Sequence, residues 1–467
     1  MRHVKPGPDF DRKDGSPNAG MDFGLLDQDG SIRMARGNML KLKQLARAFT
    51  GDSFQNSTAG VIRYSDLPDD TDITPLQLVA EDGVMSRGML YKRRGTANNV
   101  AIHIMHPRSD SANYNILPML AAGYTVLVRA SRWPNNDVTT VHEVLLLDFA
   151  ASVKYLRDTG YAKIIHLGNS GGSSLGAFYQ AQATAQTGTR LTHTPGGDPF
   201  DLNGYDLPAL DGVAFLAGHP GQGVVLGKQI DPAVVDEDDP LLTDPELDLY
   251  DPRNGFVTPP ASSRYSADFL ARYRAAQLAR IRRIDAKALA ILDRQREARA
   301  VVERLGAAAS LTQIRAAKLE RHMIIYRGTA DPAWVDLNID PDDRNVFSYR
   351  TPRPDMENFG DNAFARCITP RAWLSTWSAL SSNANTIENV ARFVEPFIIV
   401  HYTGDAGTRM SEVQQMFDRS PSPDKQLHLI KGHDHYGYEI KSDGSKGLRT
   451  WDGSLKIVEW LQERFGD

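Results

Sequence analysis

Short runs of apolar residues alternate along this chain with segments in which apolar residues recur every three or four positions. The runs contain few polar residues, which is typical of strands buried on both faces of a parallel sheet. Strands that alternate with helices imply βαβ crossovers, so we expect an α/β fold with a mostly parallel sheet flanked by helices. The predicted strands are LQLVA (76–80) and GMLYKR (88–93), which form an antiparallel edge, followed by NVAIHIM (99–105), YTVLVRA (124–130), AKIIHLG (162–168), LDGVAFLAG (210–218), PFIIVHYTG (396–404) and KQLHLIKG (425–432).

A long insertion separates the strand at 210–218 from the strand at 396–404. Within it, residues 266–305 are rich in Ala, Leu and Arg at helical spacing and predict one or two long amphipathic helices. Residues 322–328 predict a strand or an extended segment, and 370–385 predict a further helix. Trp373 and Trp377 lie one turn apart on that helix, as a pocket-facing pair would, but core packing is the favoured interpretation. The expected domains are an N-terminal arm (1–60) with a short helix at 37–49, the first part of the core (61–225), a mainly helical cap or lid (226–393) and the second part of the core (394–467).

A glycine-rich pentapeptide follows the predicted strand at 162–168 and precedes a helical pattern. Gly168-Asn169-Ser170-Gly171-Gly172 fits the G-x-S-x-G motif, in which a serine occupies a sharp turn from a strand to a helix. Small flanking residues avoid collisions in that turn and leave the hydroxyl exposed. The helix that follows brings its positive end close to the serine. The motif predicts that Ser170 is a nucleophile; a loop selected for close packing is the competing interpretation.

In these features the chain resembles the α/β-hydrolase superfamily over the sheet-forming parts, roughly 76–218 and 394–465. The resemblance implies an α/β-hydrolase fold whose large, mainly helical insertion forms a lid. It also implies a catalytic triad in the chain order serine, acid, histidine, with the last two on loops that follow late strands.

Two stretches are similar to the loops that carry the acid and the histidine. PFIIVHYTGDAGT resembles the acid-bearing strand and turn, and puts Asp405 at the acid position; Asp331 in YRGTADP is the second choice. LHLIKGHDHYG resembles the last strand and histidine loop, and puts His435 at the position of the base, with His433 as the alternative.

An acyl-transfer site also needs hydrogen-bond donors for the oxyanion. The backbone N–H of Gly171 is one expected donor, and the resemblance implies a second from the loop after NVAIHIM. Pro107 in that loop has no N–H, so we expect the second donor at Arg108. His106 is expected to be a structural loop residue. Near the next strand, Arg129, Arg132 and Trp133 are candidates either for the pocket rim or for surface salt bridges.

Composition and spacing exclude several other classes. With 58 acidic and 53 basic residues the chain has no basic field for nucleic acid. No H-E-x-x-H motif, P-loop or G-x-G-x-x-G spacing is present, so we expect no metal and no cofactor. The polar N-terminus and the lack of long apolar runs predict a cytoplasmic protein without membrane association. Cys367, the single cysteine, is expected to be a buried apolar residue.

Together the motifs predict a serine hydrolase that acts on a small molecule, with a carboxylic ester as the expected substrate. Amide, lactone, thioester and carbon–carbon bond cleavage use the same residues and stay open. A catalytically idle relative that acts as a binding module is the alternative of a different class, and a cofactor-free enzyme that uses the His/Asp pair without acylating serine is another. A homo-oligomer is compatible with the sequence, which does not specify the oligomeric state.

Overall fold

The computed structural model describes residues 66–108, 115–134, 136, 138–346, 353–360, 363–442 and 445–466. The predicted arm (1–60) and its helix (37–49) lie outside these residues. Among the described residues, no helix combines the length and the apolar character that crossing a bilayer requires.

Twelve strands and eleven α-helices are named below in chain order. The strands are β1 (Thr71–Val79), β2 (Met85–Arg93), β3 (Val100–Met105), β4 (Thr125–Arg129), β5 (Lys163–Asn169), β6 (Gly212–Leu216), β7 (Met323–Ile324), β8 (Cys367–Ile368), β9 (Phe397–Tyr402), β10 (Lys425–Ile430), β11 (Tyr438–Ile440) and β12 (Lys446–Arg449). The helices are α1 (Ile116–Ala121), α2 (His142–Asp158), α3 (Gly171–Ala183), α4 (Gln222–Gln229), α5 (Ala267–Leu305), α6 (Leu311–Lys318), α7 (Pro354–Glu357), α8 (Pro370–Ala372), α9 (Thr386–Asn389), α10 (Met410–Arg419) and α11 (Asp452–Phe465).

Eight of the strands form one central sheet in the order β1-β2-β4-β3-β5-β6-β9-β10. β2 pairs antiparallel with both β1 and β4, and every other neighbouring pair is parallel. The predicted mostly parallel sheet with an antiparallel edge is therefore confirmed. β5 lies between β3 and β6, so the turn after it opens at the centre of the carboxyl edge of the sheet.

Helices cover both faces of this sheet, as the continuous apolar strands require. On one face, α2 and α3 bury Leu145, Phe149 and Phe178 against the strands. On the other face, α1 and α11 bury Met119 and Trp460. Every residue of β9 is buried, which explains why its sequence FIIVHY shows no alternation of polar and apolar residues.

The insertion between β6 and β9 is dominated by one helix. α5 runs unbroken for 39 residues and packs Ile281 and Ile284 against a cluster that contains Trp373 and Trp377. Both tryptophans are buried, so the prediction that they pack in a core is confirmed. Ser266 begins α5 by accepting a hydrogen bond from the N–H of Phe269.

Two predictions in the insertion are wrong, one of them only in part. The helix expected over 370–385 is only α8 followed by a π-helical turn, Trp373–Trp377. The hydroxyls of Ser375 and Thr376 donate to Glu143 and to the carbonyl oxygen of Thr140, a tertiary contact that overrides local helix propensity. The strand or extended segment expected over 322–328 contains the strand β7, which pairs with β8. Cys367, expected to be buried, is exposed because alternation along β8 buries its neighbour Ile368 instead.

Candidate active site

The turn between β5 and α3 holds Ser170 in a backbone conformation that few non-glycine residues adopt. Its φ is 52° and its ψ is −120°. The glycines on both sides are required by close backbone approach: a Cβ on Gly168 would lie 2.6 Å from Cα of Ser173, and a Cβ on Gly172 would lie 2.7 Å from the carbonyl oxygen of Met105. Strain of this kind persists only where the surroundings fix it, and it commonly marks functional sites. The side chain of Ser170 is half-buried.

Three side chains from distant parts of the chain form a hydrogen-bonded relay at this turn. His435 Nε2 lies 3.0 Å from Ser170 Oγ. On the other side of the ring, His435 Nδ1 lies 2.7 Å from Asp405 Oδ2. The Ser170 hydroxyl can therefore donate to a neutral His435 whose Nδ1–H donates to Asp405. The structure brings together the serine, the first-choice acid and the first-choice histidine of the sequence analysis.

The carboxylate of Asp405 is fixed by its own turn as well as by His435. Asp405 follows β9 and is fully buried. Its Oδ1 accepts hydrogen bonds from the backbone N–H groups of Gly407 at 2.6 Å and Thr408 at 3.3 Å. Burial alone would raise the pKa of Asp405, but the charge of His435, the hydrogen bond with His435 and the hydrogen bond from the N–H of Gly407 outweigh it and lower that pKa. Asp405 is therefore a carboxylate at neutral pH.

The loop between β10 and β11 presents the His435 ring. Asp434 Oδ1 accepts hydrogen bonds from the N–H groups of Tyr436 and Tyr438, which closes the loop beneath His435. Burial alone would lower the pKa of His435, but Asp405 outweighs burial by charge and hydrogen bonding and raises it. A raised pKa makes this imidazole a stronger base than a free one.

The two alternative residues are engaged elsewhere. His433 Nδ1 lies 2.7 Å from the carbonyl oxygen of Lys431, and its Nε2 lies 3.0 Å from Thr450 Oγ1. Asp331 is buried in ion pairs with Arg274 at 2.9 Å and Arg409 at 3.3 Å. Neither residue joins the relay. Of the two candidates at each position, His435 and Asp405 are the ones that lie in it.

The two expected oxyanion donors differ in their surroundings. Gly171 is the first residue of α3, so its N–H has no partner inside the helix and lies at the positive end of the helix dipole. The N–H of Arg108 instead donates to His106 Nδ1 at 3.1 Å. In this conformation the Arg108 N–H is not available to an oxyanion, which argues against the second donor that the sequence analysis expects.

Two buried histidines that the sequence analysis did not single out lie beneath the turn. His166 Nε2 is 3.0 Å from the carbonyl oxygen of Gly172, and its Nδ1 is 3.2 Å from His103 Nδ1. These rings support the backbone of α3 from below. Their signal in the sequence was a histidine among the apolar residues of each of two strands, β3 and β5.

A further residue missed by the sequence analysis, His219, lies beside the turn. A Cβ on Gly171 would be 3.3 Å from His219 Nε2 and 2.8 Å from His106 Nε2. The signal was present as a repeated dipeptide: His106-Pro107 follows β3 and His219-Pro220 follows β6. These two strands flank β5, so their ends meet at Ser170.

The residues considered for the pocket rim have structural partners. Arg129 is buried, and its guanidinium donates to the carbonyl oxygens of Ser86 and Leu78 on the antiparallel edge. Arg132 forms ion pairs with Asp82 and Asp148. The salt-bridge interpretation therefore fits Arg132. Within the part of the chain that the structure describes, no three His, Cys, Asp or Glu side chains are grouped so that they could hold a metal ion.

Several solved structures resemble this chain at low sequence identity. No family model and no curated protein matches the chain. GrgF, an α/β hydrolase from Penicillium sp. sh18, is 12% identical, with 85% of this chain and 100% of that chain covered and a TM-score of 0.41. An esterase of Pyrococcus furiosus is 12% identical, with 88% and 96% covered and a TM-score of 0.40. The esterase domain of a Rhodothermus marinus protein is 10% identical, with 85% and 100% covered and a TM-score of 0.36.

Structures with TM-scores this low support no conclusion about the chemistry of this chain. That conclusion depends on the geometry of the chain itself. The mostly parallel eight-stranded sheet, the strained serine turn after β5 and the large helical insertion after β6 agree with the architecture that the motifs predicted. This chain has the α/β-hydrolase fold.

Proposed function

We propose that this chain is a serine hydrolase that cleaves carboxylic esters through an acyl-enzyme on Ser170. The observation that carries the proposal is the continuous relay from Ser170 Oγ to His435, at 3.0 Å, and from His435 to Asp405, at 2.7 Å. Both distances are within the range needed for proton transfer without rearrangement.

In the proposed reaction, Ser170 Oγ attacks the ester carbonyl carbon while His435 Nε2 takes the hydroxyl proton. Asp405 holds the ring by its Nδ1–H and stabilises the imidazolium that forms. His435 then gives the proton to the departing alcohol, which leaves an acyl group on Ser170. A water molecule repeats the sequence with His435 as its base, releases the carboxylic acid and restores Ser170.

We further propose that the insertion acts as a lid that also holds the acid turn in place. Trp334 Nε1 donates to the carbonyl oxygen of Ala406 at 2.8 Å, one residue beyond Asp405. The N–H of Asp343 donates to the carbonyl oxygen of Thr403 at 3.1 Å, and Asp343 Oδ2 accepts from the N–H of Gly432 at 3.2 Å. The insertion thus contacts both loops that carry the relay.

The proposal is tested with a fluorophosphonate probe and a panel of p-nitrophenyl esters of graded acyl length. Wild type should be labelled on Ser170 and should hydrolyse the esters, and Ser170→Ala should lose both properties. Ser174→Ala is the matched control, because that buried hydroxyl only donates to the carbonyl oxygen of Gly171. Amide, lactone and thioester analogues in the same panel separate the bond types. Absence of labelling and turnover in wild type would favour a binding module instead.

A further inference from the structure

The two strands that flank β5 end in the same local structure. His106-Pro107-Arg108 follows β3, and the N–H of Arg108 donates to His106 Nδ1 at 3.1 Å. His219-Pro220-Gly221 follows β6, and the N–H of Gly221 donates to His219 Nδ1 at 3.1 Å. Because β3 and β6 pair with β5 on opposite sides, these two turns stand on either side of Ser170.

These hydrogen bonds determine which ring nitrogen carries the proton. A nitrogen that accepts a hydrogen bond bears no hydrogen, so in a neutral ring the single proton lies on the other nitrogen. Burial is the main cause that lowers the pKa of His106 well below the usual histidine value, followed by the charge of Arg108. Burial and the nearby His435 likewise lower the pKa of His219 to about 3. Both rings are therefore neutral at pH 7, with an N–H at Nε2.

Both Nε2 atoms line the same space beside Gly171. A Cβ on Gly171 would lie 2.8 Å from His106 Nε2 and 3.3 Å from His219 Nε2, so the two nitrogens converge on the side of Gly171 where a larger residue would have its side chain. Among the described residues, neither Nε2 has a hydrogen-bond partner in the protein. Gly171 directly follows Ser170, so this space adjoins the hydroxyl and the first N–H of α3.

We propose that His106 and His219 donate Nε2–H hydrogen bonds to the carbonyl oxygen of the bound ester and to the oxyanion formed from it. This inference rests on the proposed function and supplies the donor that the Arg108 N–H, engaged with His106, does not. When Ser170 Oγ adds to the carbonyl carbon, the C=O π electrons move to the oxygen. That oxygen then accepts from Gly171 N–H, His106 and His219.

Neither histidine changes its protonation state in this step. The proton lost by Ser170 goes to His435. When a lone pair of the oxyanion re-forms the C=O bond, the bond to the alcohol oxygen breaks, and the alcohol leaves with the proton from His435. A neutral imidazole is a suitable electrophile here because its proton is held too tightly to be transferred to the oxyanion. The hydrogen bonds from the N–H groups of Arg108 and Gly221 fix the two histidine rings in advance. These donors therefore need no reorganisation as negative charge develops on the oxygen.

The first test compares His106→Ala, His219→Ala and the double variant with wild type, using p-nitrophenyl esters. Each single variant should lose kcat by about 10²-fold. KM should change little, because the donors act mainly in the transition state. His106→Gln and His219→Gln, which keep a side-chain N–H donor, should recover part of the loss. His142→Gln is the matched control: His142 is a buried histidine whose Nε2 lies 2.7 Å from Gln222 Oε1, so its Nε2–H is already engaged within the protein and is not free to bind an oxyanion.

The second test measures binding of a trifluoromethyl ketone, which forms a tetrahedral oxyanion on the serine. Its Ki should rise in parallel with the loss of kcat/KM across the His variants, a correlation that general damage to the fold would not produce. Gly171→Ala should also weaken binding of the trifluoromethyl ketone. The added methyl group occupies the space between the two Nε2 atoms, while the N–H of residue 171 stays in place.

The outcomes distinguish this inference from the proposed function. If wild type is inhibited and Ser170→Ala is inactive, but the His→Ala variants keep kcat within about threefold and Ki is unchanged, the histidine donors are refuted and the serine hydrolase stands. If Ser170→Ala keeps full activity, both are refuted. Loss of kcat together with a parallel rise in Ki supports the donors.

Discussion

The imidazole of His435 lies between Ser170 Oγ, 3.0 Å from its Nε2, and Asp405 Oδ2, 2.7 Å from its Nδ1. Asp405 keeps its negative charge although it is fully buried, since His435 and the N–H group of Gly407 lower its pKa. A buried carboxylate of this kind both orients the ring and raises its basicity. The following predictions depend on that arrangement and on the segments that maintain it.

The pH dependence of ester hydrolysis should report His435. Because its folded-state pKa is raised above 6.5, kcat/KM should fall with a single ionisation as the pH drops through a value above 6.5. Asp405→Asn should move this ionisation to lower pH and reduce kcat by about 10⁴-fold, since the amide no longer selects the correct tautomer. Initial rates measured across the neutral range test this. An inflection below 6.5 in wild type would contradict the assignment.

The choice between the two candidate acids can be tested directly. Burial alone would raise the pKa of Asp331, but Arg274 and Arg409 outweigh it and lower that pKa, so its carboxylate stabilises the fold above the unfolded value of 3.8 and loses this contribution as the pH falls. Asp331→Asn should therefore lower the free energy of unfolding by about 3 kcal/mol at pH 7. Urea denaturation measures this, and kcat should stay within about threefold of wild type. A collapse of kcat at unchanged stability would identify Asp331 as the acid.

The glycines that flank the serine turn should resist substitution. Gly172→Ala places a methyl group 2.7 Å from the carbonyl oxygen of Met105, and the strain should lower the free energy of unfolding by about 1–3 kcal/mol and displace Ser170. Gly204→Ala is the control, because its Cβ would meet no atom within 4 Å. Thermal denaturation and labelling by a fluorophosphonate measure both effects. Equal stability of the two variants would show that the turn tolerates the methyl group.

The contact between the insertion and the acid turn should matter for turnover. Trp334→Phe removes the indole N–H that bonds to the carbonyl oxygen of Ala406 and should cost about 1 kcal/mol of stability. It should also lower kcat by loosening Asp405. Trp460→Phe is the control, since the buried Nε1 of Trp460 has no hydrogen-bond partner among the described residues. We expect steady-state kinetics to show a decrease in kcat only for Trp334→Phe; equal kinetics would exclude this role of the insertion.

The sequence predicts the sheet well because strands buried on both faces leave an unambiguous apolar pattern, as in β3, β4 and β9. The turn at Ser170 is predicted for a similar reason, since its glycines are forced by backbone contacts only 2.6 to 2.7 Å away. The π-helical turn at Trp373 is not predictable in this way. Its conformation depends on hydrogen bonds from Ser375 and Thr376 to the helix α2 region, more than 200 residues earlier in the chain.

The candidate site likewise has features that the sequence predicts and features that depend on the path of the chain in space. Two histidines that are two residues apart, His433 and His435, cannot be ranked by periodicity, and only the path of the loop decides which ring meets Ser170. The engagement of the Arg108 N–H depends on the rotamer of His106, which the sequence does not specify. His219 was detectable only by comparing the residues that follow β3 with those that follow β6, a comparison that requires the strand order.

The most direct test of the account is mass spectrometry of the enzyme quenched rapidly during turnover of a p-nitrophenyl ester. We predict a burst of p-nitrophenol equal to the enzyme present, together with an acyl group on the peptide that contains Ser170. Turnover without an acyl adduct on that peptide, or an adduct on a different residue, would contradict the assignment of Ser170 as the nucleophile.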